Sequence, residues 1–186
     1  QSDFLIVATG IKPETTLAEN AGIKLGKTGA IWTDKKMQTS IKDIFACGDC
    51  AESYLLIDNS PIYRPLGSTA NKTGRITGEA LFDKQLSFRG ILGTGIFKIF
   101  DMAVAQTGVT QTQAESKGYE TVVCNNIKPD KPEYMGGKNL FIKAVADKKT
   151  GKLLGVQIIG ESGVDKRIDV FATAITFGAG VSDLFH

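Results

Sequence analysis

Cys47-Gly48-Asp49-Cys50 concentrates much of the chemistry this sequence offers. Two thiols with two residues between them can form a redox dithiol or half of a metal site. Alternatively, the cysteines are incidental and the chemistry belongs to the Gly48-Asp49 pair between them. A thioredoxin-like pair sits at a helix N-terminus, where the dipole lowers the first thiol's pKa. Here Cys47 ends an apolar run, Ile44-Phe45-Ala46, and the Asp49 carboxylate would raise thiol pKa values. A zinc site needs further ligands, yet the one other cysteine is Cys124 and the single histidine is His186. Both readings are therefore disfavoured. Gly48-Asp49 instead reads as a strand that ends in Gly and then Asp. That order puts a carboxylate at the carboxyl edge of a sheet, where open α/β sheets bind ligands. It can accept hydrogen bonds from sugar or polyol hydroxyls. An Asp capping the following turn fits the same spacing, and from spacing alone the two readings balance.

Leu66-Gly67-Ser68-Thr69-Ala70 opens a helix predicted over about 68–82. Its free N–H groups and positive dipole end can face an anionic or electron-rich ligand atom. An ordinary Ser-capped helix explains the same residues and, taken alone, explains them better. Ala70, Gly74 and Gly78 give this helix a face small enough for a backbone or flat ligand to approach. Gly93-Thr94-Gly95-Ile96-Phe97-Lys98 has Lys where a dinucleotide fingerprint needs its third Gly, and strand-like residues follow, so it reads as a loop. Thr107-Gly108-Val109-Thr110 reads as a turn before a capped helix, and Trp32 as packing. No Ser/His/Asp set is available. The lysines of 128–152 read as a solvated face.

The elements that must position these residues follow from the apolar pattern. Phe4–Ala8 reads as a buried strand, followed by Thr9-Gly10. A short helix follows over 14–20 with Pro13 near its first turn. Short strands are predicted over 29–33 and 35–39, and a buried one over 44–47. Residues 54–58 and 62–64 read as a hairpin. The Gly-rich stretch 87–95 reads as a linker or domain boundary. In the second half, 96–100, 103–107 and 121–124 are strand-like, 110–117 is a helix and 125–137 a Pro- and Lys-containing loop. Residues 140–146 and 153–159 pair through the turn at 147–152. Val164, Ile168, Phe171, Ala172 and Ile175 mark one face of an amphipathic helix. Strands with helices on one side predict an α+β layer.

Composition narrows the function classes. Among 186 residues, 42% are hydrophobic and 23% charged, ordinary for a globular chain. The net charge of +2, with scattered lysines, argues against a nucleic-acid partner. No apolar run approaches the ~20 residues of a membrane span. Three cysteines make no secreted disulfide framework, so a reducing cytoplasm is expected. The strand beginning at Phe4, and a helix start at Val181–His186 with Ser182 as its N-cap, give the expectation of a segment of a longer protein.

Longer stretches carry a resemblance. "FLIVATGIKPETTLAENAGIKL" followed by "GAIWTDKKMQTSIKDIFACGDCAE" resembles the flavin-dependent pyridine nucleotide-disulfide oxidoreductases. Thr39-Ser40…Ile44-Phe45-Ala46-x-Gly48-Asp49 matches that family's second FAD motif, and "RPLGSTANKTGRITGEAL" resembles the helix after it. "GTGIFKIFDMAVAQTGVT" and "LLGVQIIGESGVDKRIDVFATAI" resemble its dimerisation domain. The resemblance is to the branch that holds NADH oxidase, NADH peroxidase and coenzyme A-disulfide reductase.

That resemblance implies α/β plus α+β architecture. The C-terminal part of an FAD/NAD(P)-binding Rossmann-like domain would precede an α+β dimerisation domain. Residues 1–10 would end the NAD(P)-binding domain, 11–88 would be the C-terminal half of the FAD domain, and 89–186 the dimerisation domain. Asp49 would hold the FAD ribitol, and Gly48 would let the backbone approach it. Ser68, Thr69 and Ala70 would lie near the flavin pyrimidine edge, and Thr9 and Gly10 at the interdomain crossover. The expected cofactors are FAD and NAD(P)H, and the expected partner is a second copy held through residues after about 90. The resemblance also implies that the first GxGxxG and the redox-active Cys belong to chain preceding this one. No residue here is then catalytic, and the chain alone is expected to lack turnover and to bind FAD poorly or not at all.

Overall fold

A computed structural model describes residues 2–82 and 85–184. The chain divides into two compact units. The first comprises 1–54 and 60–90; the second comprises 55–59 and 91–186.

In the first unit, the run Phe4–Val7 is not a strand. Its side chains are 72–81% exposed, and no described residue pairs with it. Apolar β-formers make a strand only where a neighbouring backbone completes the ladder. The first helix, α1, is shorter than expected, Thr16–Asn20, because Thr15 rather than Pro13 precedes it. The Glu14 carboxylate accepts the Thr16 N–H at 2.9 Å, while the Thr15 hydroxyl donates to Glu19 at 2.6 Å. Residues 29–39 make isolated bridges rather than strands: Leu25 with Ile31, Ile31 with Ala51, and Gln38 with Phe45.

The expected buried strand at 44–47 is one arm of a narrow hairpin. Thr39 N–H donates to Ile44 O and Ala46 N–H to Met37 O. Ile44 is exposed, so the arm is not buried along its whole length as expected. A 3-10 turn, Gly48–Cys50, follows. The short antiparallel pair β1 (Ser53–Tyr54) and β2 (Pro61–Ile62) and the 14-residue helix α2 (Gly67–Ala80) complete the described part of the unit. The hairpin predicted there is thus shorter than its apolar run. The inner face of α2 is set by Thr69, Thr73 and Ile76, spaced i, i+4, i+7.

The second unit is an antiparallel sheet of five strands in the order β3-β4-β7-β6-β5. The strands are β3 (Gly95–Ile99), β4 (Met102–Gly108), β5 (Thr121–Pro129), β6 (Asn139–Asp147) and β7 (Leu153–Gly160). Strand β5 runs five residues past the expected Cys124. Cross-strand bonding to β6 extends it into the Pro- and Lys-containing stretch, with Pro129 as its last residue. At the edge of a sheet a Pro there breaks no ladder. Helix α3 (Gln111–Ser116) carries the expected cap: Thr110 and Gln113 form a reciprocal capping box.

Helix α4 (Val164–Thr176) packs on β4 and β7. Its Val164, Ile168 and Ile175 join Ala105, Leu140, Val156 and Ile158 in the core, with Phe171 and Ala172 against them. That is the face read from the sequence. At the end of the described chain, Ser182–Leu184 form a 3-10 turn whose Gly180 N–H is taken by Asp183, not by Ser182.

Candidate functional site

The site is built where the hairpin 37–46 delivers its second arm to the start of α2. Cys47 is extended, and Gly48 then turns with φ +79°, a left-handed conformation that favours glycine. Its N–H donates to the Thr73 hydroxyl at 3.0 Å. Thr73 is 1% exposed and passes its own proton to Thr69 O (3.0 Å) or Ala70 O (3.1 Å). Asp49 O accepts the Tyr63 hydroxyl at 3.0 Å. The backbone on each side of Asp49 is therefore tied down. Its carboxylate is exposed and makes no hydrogen bond among the described residues.

Helix α2 begins one residue before Ser68. Leu66 occupies the N-cap position and no side chain caps the helix, so the Ser cap allowed by the sequence is not made. Thr69 and Ala70 N–H groups both donate to Leu66 O. Those of Gly67 and Ser68 find no acceptor among the described residues. Both residues are exposed. The Gly48–Asp49 segment is thus joined to the helix with the uncapped N-terminus through the Gly48 N–H and Thr73. A methyl group at Gly48 would rest 3.8 Å from the Ala70 Cβ. Gly74 and Gly78 face open space among the described residues.

Thr9 and Gly10 are exposed, and Gly10 has φ +93°. No hydrogen bond among the described residues joins them to Gly48, Asp49 or the start of α2. Trp32 packs under the Lys24 ammonium, 5.6 Å from the ring centre.

All three cysteines are free thiols. The Cys50 thiol donates to Cys47 O at 3.4 Å. Burial pushes its pKa up, and the neighbouring Cys47 and Asp49 charges add to this. That is the reverse of an activated dithiol. Among the described residues no three His, Cys, Asp or Glu side chains converge as a metal site would require, and His186 lies outside them. Of the lysines at 128–152, all but the half-buried Lys143 are exposed.

Sequence reasoning missed Thr73, Tyr63 and Glu52. The first two had no local signal, since their importance lies in which backbone groups they meet. Glu52 ends the quoted motif and is 2% exposed; its carboxylate holds Thr28.

Residues 1–70 match the pyridine nucleotide-disulphide oxidoreductase family, and residues 95–186 match that family's dimerisation domain. The chain is 40% identical over its whole length to the NAD(P)H sulfur oxidoreductase (CoA-dependent) of Pyrococcus furiosus, of which it spans 42%. It superposes on the NAD-dependent persulfide reductase from A. fulgidus with a TM-score of 0.94 at 39% identity, covering 99% of this chain and 34% of that one. For an FAD-dependent pyridine nucleotide-disulphide oxidoreductase from Desulfovibrio vulgaris the TM-score is 0.82 at 34% identity, covering 97% and 44%. The chain belongs to the pyridine nucleotide-disulphide oxidoreductase family.

Proposed function

We propose that the protein containing this chain is an FAD-dependent NAD(P)H oxidoreductase that delivers electrons to a disulfide, a peroxide or oxygen. The observation that carries this reading is the Asp49 carboxylate, held by its backbone and without a hydrogen-bond partner among the described residues, on a segment tied to the uncapped helix α2. A fixed carboxylate acceptor suits the ribityl hydroxyls of a flavin nucleotide. The Gly67 and Ser68 N–H groups, with the positive end of the helix dipole, suit its electron-rich pyrimidine edge. In this reading Gly48, Asp49, Ser68, Thr69 and Ala70 hold FAD, while Thr9 and Gly10 lie at the crossover from the NAD(P)-binding domain. Residues 1–10 end that domain, 11–88 belong to the FAD domain and 89–186 to the dimerisation domain. When bound, the flavin supplies hydride acceptance from the nicotinamide. This chain contributes binding, orientation and the electrostatics of a helix N-terminus. Its redox-active Cys belongs to another part of the protein.

A second copy of the chain is the proposed macromolecular partner, docked through residues after about 90. Support comes from apolar side chains that the second unit leaves uncovered. Val170 on α4 and Phe177, the C-cap residue just past its end, are 60% and 79% exposed. No nucleic acid or membrane enters this reading, and among the described residues no helix is long and apolar enough to cross a membrane. Free thiols agree with a reducing cytoplasm.

The test is the visible absorption spectrum of the protein containing this chain, before and after anaerobic NADH. A flavin band that bleaches is expected. A colourless protein that cannot be reconstituted with FAD overturns the reading of Asp49. The 186-residue chain by itself is expected to oxidise no NAD(P)H, and turnover by it would contradict that expectation.

A further inference from the structure

We infer that Thr73 and Tyr63 are positioning residues, which grip the Gly48–Asp49 segment from its two sides and hold the Asp49 carboxylate at a fixed place relative to the start of α2. The inference rests on the flavin reading above and goes beyond the residues expected to touch the cofactor. A threonine hydroxyl has one proton and two lone pairs. Thr73 spends the proton on Thr69 O or Ala70 O and a lone pair on the Gly48 N–H. Because Thr73 is buried, water does not replace it, and without it the Gly48 N–H loses its partner. The carbonyls to which Thr73 donates belong to the first turn of α2, so one hydroxyl ties the two halves of the site together. Tyr63 supplies the opposite grip through Asp49 O. Burial raises its phenol pKa, with the Asp49 and Cys50 charges adding to this, so the group stays protonated and donates. A carboxylate whose backbone is already ordered forgoes less freedom when it takes up ligand hydroxyls.

The experiment uses the protein containing this chain, stripped of flavin, as wild type and as Thr73→Val, Thr73→Ser and Tyr63→Phe. Two quantities are measured: the FAD dissociation constant by fluorescence titration, and amide hydrogen exchange at Gly48 in the apoprotein. Thr73→Val keeps the shape and removes the hydroxyl. It is expected to speed Gly48 exchange and to weaken FAD binding roughly tenfold. Thr73→Ser restores both, and Tyr63→Phe weakens FAD binding without exposing the Gly48 amide. If wild type binds FAD and Thr73→Val binds it equally well, the positioning role is overturned, whatever happens to stability. Wild-type protein that takes up no FAD overturns the flavin reading and the role built on it. Gly48 exchange still reports separately whether the hydrogen bond itself is made.

Discussion

The Glu52 carboxylate receives both hydrogen bonds that Thr28 can direct at it: the backbone N–H and the hydroxyl reach the same oxygen at 2.8 Å each. Gly26 borders this contact, and a methyl group added there would collide with the carboxylate. Glu52 N–H in turn donates to Ile31 O at 2.8 Å, so the residue ties the turn at 26–30 to the strand-like segment that follows the candidate site.

Glu52→Ala is expected to lower the stability of the first unit by about 2 kcal/mol, because it leaves the part-buried Thr28 N–H and hydroxyl without their acceptor. Gly26→Ala alone is expected to cost about 1–3 kcal/mol through overpacking. In the Glu52→Ala background the same glycine change should cost much less, since the colliding group is gone. Urea midpoints of the four proteins in this cycle check the coupling. Additive losses would show that Gly26 and Glu52 do not compete for the same space.

Stability in acid depends on carboxylates of the second unit. The Thr150 hydroxyl, followed by the Lys149 N–H, holds Asp147 below its ordinary value of 3.8. Asp130 is lowered in the same direction by the Lys138 N–H and the Ser162 hydroxyl. A carboxyl whose folded pKa is depressed contributes stability that is fully present above the unfolded value. That contribution disappears as pH falls through the folded value. Thermal midpoints should therefore drop as pH falls below about 4, less steeply for Asp147→Asn than for wild type. Parallel profiles for the two proteins would remove Asp147 from this account.

The thiols should separate in their reactivity. Cys124 is exposed on β5, whereas Cys50 is half-buried with its pKa raised by burial and by the adjacent Cys47 and Asp49 charges. A raised pKa leaves less thiolate at any given pH, so alkylation slows. Iodoacetamide near neutral pH, followed by peptide mass mapping, should mark Cys124 before Cys50. Asp49→Asn should move the Cys50 profile to lower pH. Labelling of Cys50 first would mean that the segment at 47–50 is more open than the hairpin and α2 make it.

Charges at the exposed Val170 and Phe177 should weaken the proposed self-association. Val170 and Phe177 stand outside the core formed by Val164, Ile168 and Ile175, so Val170→Glu with Phe177→Glu spares the packed face. Light scattering is expected to move from the mass of two chains towards one, with the circular dichroism unchanged. A variant still of two-chain mass would place the contact on another surface.

Several elements could be read directly from local pattern. The apolar face of α4 repeats with the helical period, and the hairpin of β6 and β7 is flanked by clean β-forming runs around a turn. The Thr110 cap of α3 is a signal four residues long, Thr110 to Gln113. Expectations failed where a segment's state depends on its neighbour. Phe4–Val7 have strand character without a pairing strand among the described residues, and Asn125–Pro129 have loop-like composition but pair with β6.

By itself the sequence determined the family, through the order of its motifs, and it singled out Gly48 and Asp49 as residues able to approach and hold a polyol. It left open whether Asp49 caps a turn or faces a ligand. Only the tertiary structure decided that its carboxylate takes no cap partner from the described chain, and that its backbone is held by Thr73 and Tyr63. The physical reason is range. Helical and strand periods, caps and turns act within a few residues, so composition reveals them. The hydrogen bonds that build the site join residues 25 and 14 positions apart, and exist only once the hairpin has delivered Gly48 to the side of α2.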